Sequence, residues 1–239
     1  MRKVALITGS ALRIGHEIAT HLAVKGWDLA LHFNSSHNEA HAFELKLKSN
    51  FPKQRFVSFM TDLGDQVQTS KLIQQVIEQF GALYLLVNNA SVFHSSSLKE
   101  TSRELLMHQT IVNYMAPYIL IRDFANKASK GLVINIVDTR ITNNKSDYLA
   151  YSISKKALWE LTKMAALELA PNFRINAIAP GAVLPSEGKD QMYLEKIAGN
   201  TPMKIPSGTI SILKSLDYIV ENQDLTGQLI FCDGGSHLI

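Results

Sequence analysis

The chain has 239 residues, 46% hydrophobic and 19% charged, which is ordinary for a folded globular protein and argues against long disorder. Its length favours one large domain over two small ones and is enough for a sizeable buried core. A formal net charge of +3, spread without a basic cluster, zinc-finger spacing or RNA-binding signature, excludes nucleic acid as an expected partner.

The N-terminus, MRKVALITG, starts basic and apolar, but Gly9 and Arg13 interrupt it before a signal-peptide core is complete. Short β-rich runs then alternate with helical periods. VALIT precedes a helix from Ile14 to Lys25, DLALHF one from Glu39 to Ser49, and RFVSFM one from Gln66 to Phe80. LYLLV is followed by a long helical segment over Glu104 to Lys127, and LVINIV by a helix from about Tyr148 to Leu169. RINAIA and QLIFC complete the strands. Runs that are apolar throughout belong in a parallel sheet covered on both faces. The expected fold is a single α/β domain over 1–239, a Rossmann-like, doubly wound parallel sheet of about seven strands.

One region breaks the alternation. From Gly181 to Gly208 the chain is rich in Pro and Gly and reads as a loop with one short helix, Asp190 to Ala198. Residues 182–208 are placed to act as a lid, because sites in open α/β sheets lie beyond the carboxyl ends of the strands. Cys232 is the only cysteine, so no internal disulfide exists and a reducing compartment, the cytoplasm, is expected. No apolar run approaches the roughly 18 residues needed to span a bilayer, so no membrane is expected; no metal site is expected either.

Two constellations carry chemistry. Strand VALIT runs into TGSALRIG, where Gly9 and Gly15 flank a turn and the start of a helix. Glycines let backbone approach a pyrophosphate, and a helix N-terminus offers it N–H groups and a positive dipole end. The second strand ends HFNSS, without the acid that would bind a free ribose 2′-hydroxyl; Asn34, Ser35 and Ser36 suit a 2′-phosphate instead, so NADPH is the expected cofactor. Further on, Tyr151 and Lys155 stand one helical turn apart and share a face. An adjacent ammonium is expected to favour the ionised phenol and ease proton exchange near neutrality.

TGSALRIG, NNAS at Asn88–Ser91 and YSISK at Tyr151–Lys155, in this order and spacing, resemble the short-chain dehydrogenase/reductase family over nearly the whole chain. The resemblance implies cofactor contacts from Gly9, Arg13, Ile14, Gly15, Asp62, Leu63, Asn89, Ala90, Tyr151, Lys155, Pro180 and Gly181. It also implies a helix residue, Asn113, that continues a water chain to Lys155, and assembly as a homodimer or homotetramer. Arg13 replaces the family's middle glycine, and its guanidinium suits a phosphate or a substrate oxyanion. Pro185 stands where many relatives carry a threonine that contacts the nicotinamide carboxamide.

A second departure is chemical. Most relatives place a serine thirteen residues before the tyrosine, and here that residue is Asp138. An ionised carboxylate repels the alkoxide that forms from a ketone, but stabilises a protonated C=N group. A capping role for Asp138 at a turn is the alternative. Arg13, Ser91, Phe93 and Asp138 together resemble pteridine reductases of the dihydromonapterin reductase type, in which a phenylalanine placed like Phe93 stacks a flat pterin. The implied reaction is NADPH-dependent reduction of a dihydropterin, with dihydromonapterin as natural substrate and dihydrofolate or dihydrobiopterin as others. Asp138, Tyr151, Lys155 and Asn113 would be catalytic, and Arg13, Ser91, Phe93, Asp138 and Tyr151 would hold the pterin. Reduction of a 3-oxoacyl or other small ketone is the alternative reading, and a non-catalytic dinucleotide sensor a remote one.

Overall fold

A computed structural model describes residues 3–184 and 190–239. Seven strands form one parallel sheet in the order β3-β2-β1-β4-β5-β6-β7, as the alternating pattern predicts. They are β1 (Val4–Ile7), β2 (Asp28–Phe33), β3 (Phe56–Met60), β4 (Leu85–Asn88), β5 (Gly131–Ile136), β6 (Phe173–Pro180) and β7 (Leu229–Cys232). The connecting helices are α1 (Arg13–Val24), α2 (His37–Asn50), α3 (Gln66–Phe80), α4 (Arg103–Thr110), α5 (Ala116–Lys127), α6 (Leu149–Glu168), α7 (Gln191–Ala198) and α8 (Thr209–Glu221). Among the described residues no helix is long and apolar enough to cross a membrane.

Side-chain alternation along the strands divides the core. Ala5 and Ile7 of β1 face one side, with Ile18 and Leu22 of α1, Phe43 and Leu47 of α2, and Ile212, Leu216 and Ile219 of α8. Val4 and Leu6 face the other, with Leu72, Ile73 and Val76 of α3, Leu120 and Phe124 of α5, and Ala165 and Ala166 of α6. Because both faces are covered, the strands need no polar side, and this explains their continuous apolar runs.

The helix expected over Glu104 to Lys127 is interrupted. A π-helical turn, Ile111–Met115, separates α4 from α5, and the Ala116 N–H reaches back to the Ile111 carbonyl. Pro117, at the start of α5, has no N–H to give the Asn113 carbonyl four residues before it, so an unbroken α-helix is not available there. The helix expected from Asp190 forms as α7, with the Asp190 side chain accepting the Tyr193 N–H at 2.9 Å. Pro185 and residues 186–189 of the expected lid lie outside the described residues.

Helix α8 has no counterpart in the sequence reading. Its signal was present: Ile212, Leu216 and Ile219 recur at helical spacing and are at most 1% exposed. Leu216→Ala is expected to destabilise the fold by about 3 kcal/mol through the lost apolar contacts and the cavity left between α8 and the sheet. The shift in a urea unfolding midpoint, at unchanged slope, measures it.

Candidate active site

A cleft of about 860 Å³ opens at the carboxyl ends of β1, β2, β4, β5 and β6, where the strand order reverses between β1 and β4. All the expected site residues line it except Asn113.

The β1–α1 turn is built from both sides. Gly9 adopts φ +64°, in the left-handed region, against Ala90. A Cβ on Gly15 would lie 2.1 Å from the Gly9 carbonyl oxygen and 2.6 Å from Asn89 Nδ2, so only glycine fits there. Asn89 Nδ2 donates to the Thr8 and Gly9 carbonyls at 2.9 and 3.1 Å, and Thr8 Oγ1 accepts the Asn89 and Ala90 N–H groups at 2.9 and 3.0 Å. These bonds weld the ends of β1 and β4. Arg13 stands exposed at φ +55°, a left-handed geometry costing about 1 kcal/mol outside glycine, so the turn keeps the shape of a glycine position.

His32, which the sequence reading passed over, lies beneath this turn and is 1% exposed. Its Nδ1 accepts the Gly9 N–H at 3.0 Å, which requires the other ring nitrogen to carry the proton and donate to the Thr61 carbonyl at 3.0 Å. Burial lowers its pKa to about 4, so it is neutral. Since the N–H groups of Gly9 and Ser10 are already bonded to His32, an anion at this turn depends on the helix start, at Ile14 and Gly15. Asn34 and Ser35 are exposed and Ser36 half-buried at the end of β2, and none of their side chains is hydrogen-bonded to a described residue. Asp62 accepts the Gly64 N–H at 2.8 Å, while Asp65 is the residue that caps α3.

Tyr151 and Lys155 share the buried face of α6, 6% and 2% exposed. The Tyr151 hydroxyl donates to Asp138 Oδ2 at 2.8 Å, and the other Asp138 oxygen accepts the Arg140 N–H at 2.8 Å, capping a single 3-10 turn, Thr139–Thr142. Asp138 is therefore both a cap and a partner of the tyrosine. Lys155 Nζ donates to the Ile136 carbonyl at 2.9 Å, and lies 5.8 Å from the centre of the Tyr151 ring.

The electrostatics correct the expectation of an ionised phenol. Burial and then the Asp138 charge push the Tyr151 pKa well above its ordinary value, so the phenol keeps its proton. Burial raises the Asp138 pKa, against the stabilising Arg140 N–H, Tyr151 hydroxyl and Lys155 charge. Burial also lowers Lys155 to about 8, with Asp138 acting in the opposite sense. The ammonium thus serves the carboxylate rather than a phenolate.

Asn113, fully buried in the π-helical turn, has its side chain committed elsewhere. Its Oδ1 accepts from Ser91 Oγ at 3.0 Å and the Val92 N–H at 2.9 Å, and its Nδ2 donates to the Val92 carbonyl at 2.9 Å and Ser154 Oγ at 3.1 Å. This side chain fastens the segment after β4 to α6 and makes no direct hydrogen bond to Tyr151 or Lys155. Ser91, having given its proton to Asn113, offers the cleft an acceptor. Phe93 is 43% exposed and borders the cleft beside Tyr148 and Tyr151. Pro180 ends β6 and Gly181 follows it, where a Cβ would meet Asp233 Cα at 2.7 Å. Thr8, His32, Arg140 and Tyr148 complete the site without having been foreseen. Only Tyr148, an aromatic one turn before Tyr151, carried a visible signal. Among the described residues no group of three or more His, Cys, Asp or Glu side chains is placed to hold a metal ion.

A family model described as short chain dehydrogenase matches residues 3–193. The structure of FolM alternative dihydrofolate reductase 1 from Brucella suis, in complex with NADP, is similar with a TM-score of 0.94 and 33% identity, covering 99% of this chain and 96% of that one. The Brucella canis protein of the same description, also complexed with NADP, gives 0.92 and 32% over 99% and 95%. Among curated proteins, the 3-oxoacyl-[acyl-carrier-protein] reductase FabG of Staphylococcus epidermidis is 28% identical over the full length of both chains.

The Lys155 pKa sets a pH limit. As pH rises through about 8 the ammonium is lost and Asp138 stands without its nearest compensating charge. In a pH series, kcat/KM is expected to fall above pH about 8, and Lys155→Met to remove that limb along with most of the activity.

Proposed function

The chain belongs to the short-chain dehydrogenase family, and from that premise we propose that it is an NADPH-dependent reductase of a dihydropterin. Hydride goes to the carbon of a ring C=N bond and a proton to its nitrogen. The observation that carries this reading is the Tyr151–Asp138 hydrogen bond, which puts a half-buried carboxylate at the reacting centre.

The cradle fits a dinucleotide. Gly15 leaves no room for a side chain, the start of α1 presents N–H groups to a pyrophosphate, and the uncommitted Asn34, Ser35 and Ser36 suit a 2′-phosphate where an acid would repel it. The NADP bound in both Brucella structures supports the same cofactor. When bound, NADPH supplies the hydride.

The protein's part is the proton and the charge. Two unit charges about 4 Å apart interact by roughly 4 kcal/mol at an effective dielectric of ~20, so Asp138 opposes a forming alkoxide and favours a forming iminium by similar amounts. If Tyr151 alone released its proton, two anions would stand at hydrogen-bond distance. The pair therefore works as a unit: as Tyr151 passes its proton to the substrate nitrogen, a proton from solvent moves through Asp138 to Tyr151, so that the carboxylate is ionised before and after the transfer and two anions never stand together. Dihydromonapterin is the proposed natural substrate, and dihydrofolate a slower one.

Carbonyl reduction is the second reading, supported by the full-length likeness to a 3-oxoacyl reductase. A panel of dihydromonapterin, dihydrobiopterin and dihydrofolate beside 3-oxoacyl thioesters, followed by NADPH absorbance, separates the two. Pterin turnover is expected, lowered about 100-fold by Asp138→Ser, which retains or raises ketone turnover. Silence with all three pterins and reduction of a ketone by the wild type would make it a carbonyl reductase.

A further inference from the structure

We infer that Arg140 determines substrate preference by bracing an aromatic platform, so that the site selects flat, conjugated nitrogen heterocycles over aliphatic carbonyl compounds. This deepens the dihydropterin reading and rests on it.

The platform has three layers. The Phe93 and Tyr148 rings lie parallel, 4.2 Å between centroids and 7° between planes. The Arg140 guanidinium carbon sits 4.4 Å from the centre of the Tyr148 ring. Phe93 already fills one face of that ring at this distance, which leaves the opposite face to the guanidinium. The order is thus Arg140, Tyr148, Phe93, and Phe93, at one end of the stack and 43% exposed, lines the cleft. The Tyr151 ring stands at 82° to Phe93 with 4.6 Å between centroids, so the reacting side chain is in contact with the stack.

Asp147 fixes both ends of the stack. Its carboxylate takes a two-pronged bond from Arg140, at 2.8 and 3.0 Å. Its carbonyl takes the Ser95 hydroxyl at 2.7 Å and the Ser96 N–H at 3.1 Å, which tethers the segment that carries Phe93. The Leu149 N–H returns to the Ser96 carbonyl at 3.0 Å, enclosing Tyr148. A planar guanidinium held by a fork is pre-organised to lie on a ring face, where its charge attracts the π electrons. A rigid flat surface repays only a ligand that is flat over its whole area.

The backbone N–H of Arg140, not its side chain, caps Asp138. Side-chain substitution therefore leaves that cap in place and removes the guanidinium, whose charge also lowers the pKa values of Asp138 and Tyr151. The test is calorimetric binding of dihydrobiopterin to the full-length protein saturated with NADP+, together with steady-state kinetics. Arg140→Met is expected to weaken dihydrobiopterin binding roughly fivefold or more and to raise its KM by a like factor. Its KM should change by more than its kcat, and its affinity for NADP+ should stay within about twofold of wild type, a pattern that general unfolding of the site would not produce. Arg140→Lys, which keeps the charge and loses the fork, should fall between, and Asp147→Asn should shift KM in the same direction as Arg140→Met. Dihydrobiopterin binding by Arg140→Met within twofold of wild type overturns the inference. Wild-type binding without turnover defeats the proposed reaction and leaves the platform standing, whereas no binding of the pterin by the wild type defeats both.

Discussion

The hydrogen bond from the Tyr151 hydroxyl to Asp138 governs the rest of the site, because it settles where the protons and charges reside. A buried phenol that donates to a carboxylate stays protonated, and the half-buried Asp138, its desolvation only partly offset, holds its charge at a cost. Lys155 supplies the compensating ammonium, and burial brings its own proton within reach of loss near pH 8. Arg140 contributes less to this balance, since its guanidinium is already engaged by Asp147 and holds that carboxyl below its ordinary range. Three ionisable groups thus share one local charge, and the state of each depends on the other two.

The backbone is arranged to keep that triad together. Asp138 follows β5, while Tyr151 and Lys155 lie in the first two turns of α6. Two side-chain bonds lock the helix to the strand end, Tyr151 to Asp138 and Lys155 to the Ile136 carbonyl. At the cofactor end, Thr8, Asn89 and His32 tie the β1–α1 turn to β4 and β3. Both halves of the cleft are therefore cross-linked at strand termini rather than carried on free loops, which is the precision a reaction between two bound molecules requires.

Much of this was legible in the sequence. Apolar runs read as strands because both faces of the sheet are covered, and Tyr151 and Lys155 could be paired from helical spacing alone. The NNAS segment, whose Asn89 clasps the turn of Gly9, was found through its order in the chain. What escaped was set by tertiary partners. His32 looks like any polar residue within a strand until Gly9 and Thr61 are brought to its two nitrogens. Arg140 and Asp147, seven residues apart with an irregular segment between, share no periodicity that would pair them. The ionised tyrosine was expected from its lysine neighbour, and burial together with Asp138 reversed it. Helix α8 was overlooked although its apolar period was present, its first turn following directly on the Pro- and Gly-rich region.

The sequence posed Asp138 as either a turn cap or a reacting group, and its two oxygens make these roles compatible. The cap bond from the Arg140 N–H fixes the orientation of the carboxyl, and that orientation aims the second oxygen at Tyr151. A serine there has one oxygen, and in a ketone reductase its hydroxyl donates to the substrate. An ionised aspartate has no proton to donate and only accepts. The exchange therefore replaces a hydrogen-bond donor by an acceptor beside Tyr151, which is the basis of the proposed preference for a ring nitrogen. A carbonyl oxygen, an acceptor turning negative, finds one donor fewer and a charge of its own sign. In the proposed reaction the ring nitrogen, acquiring a proton and a positive charge, meets a carboxylate that stabilises it.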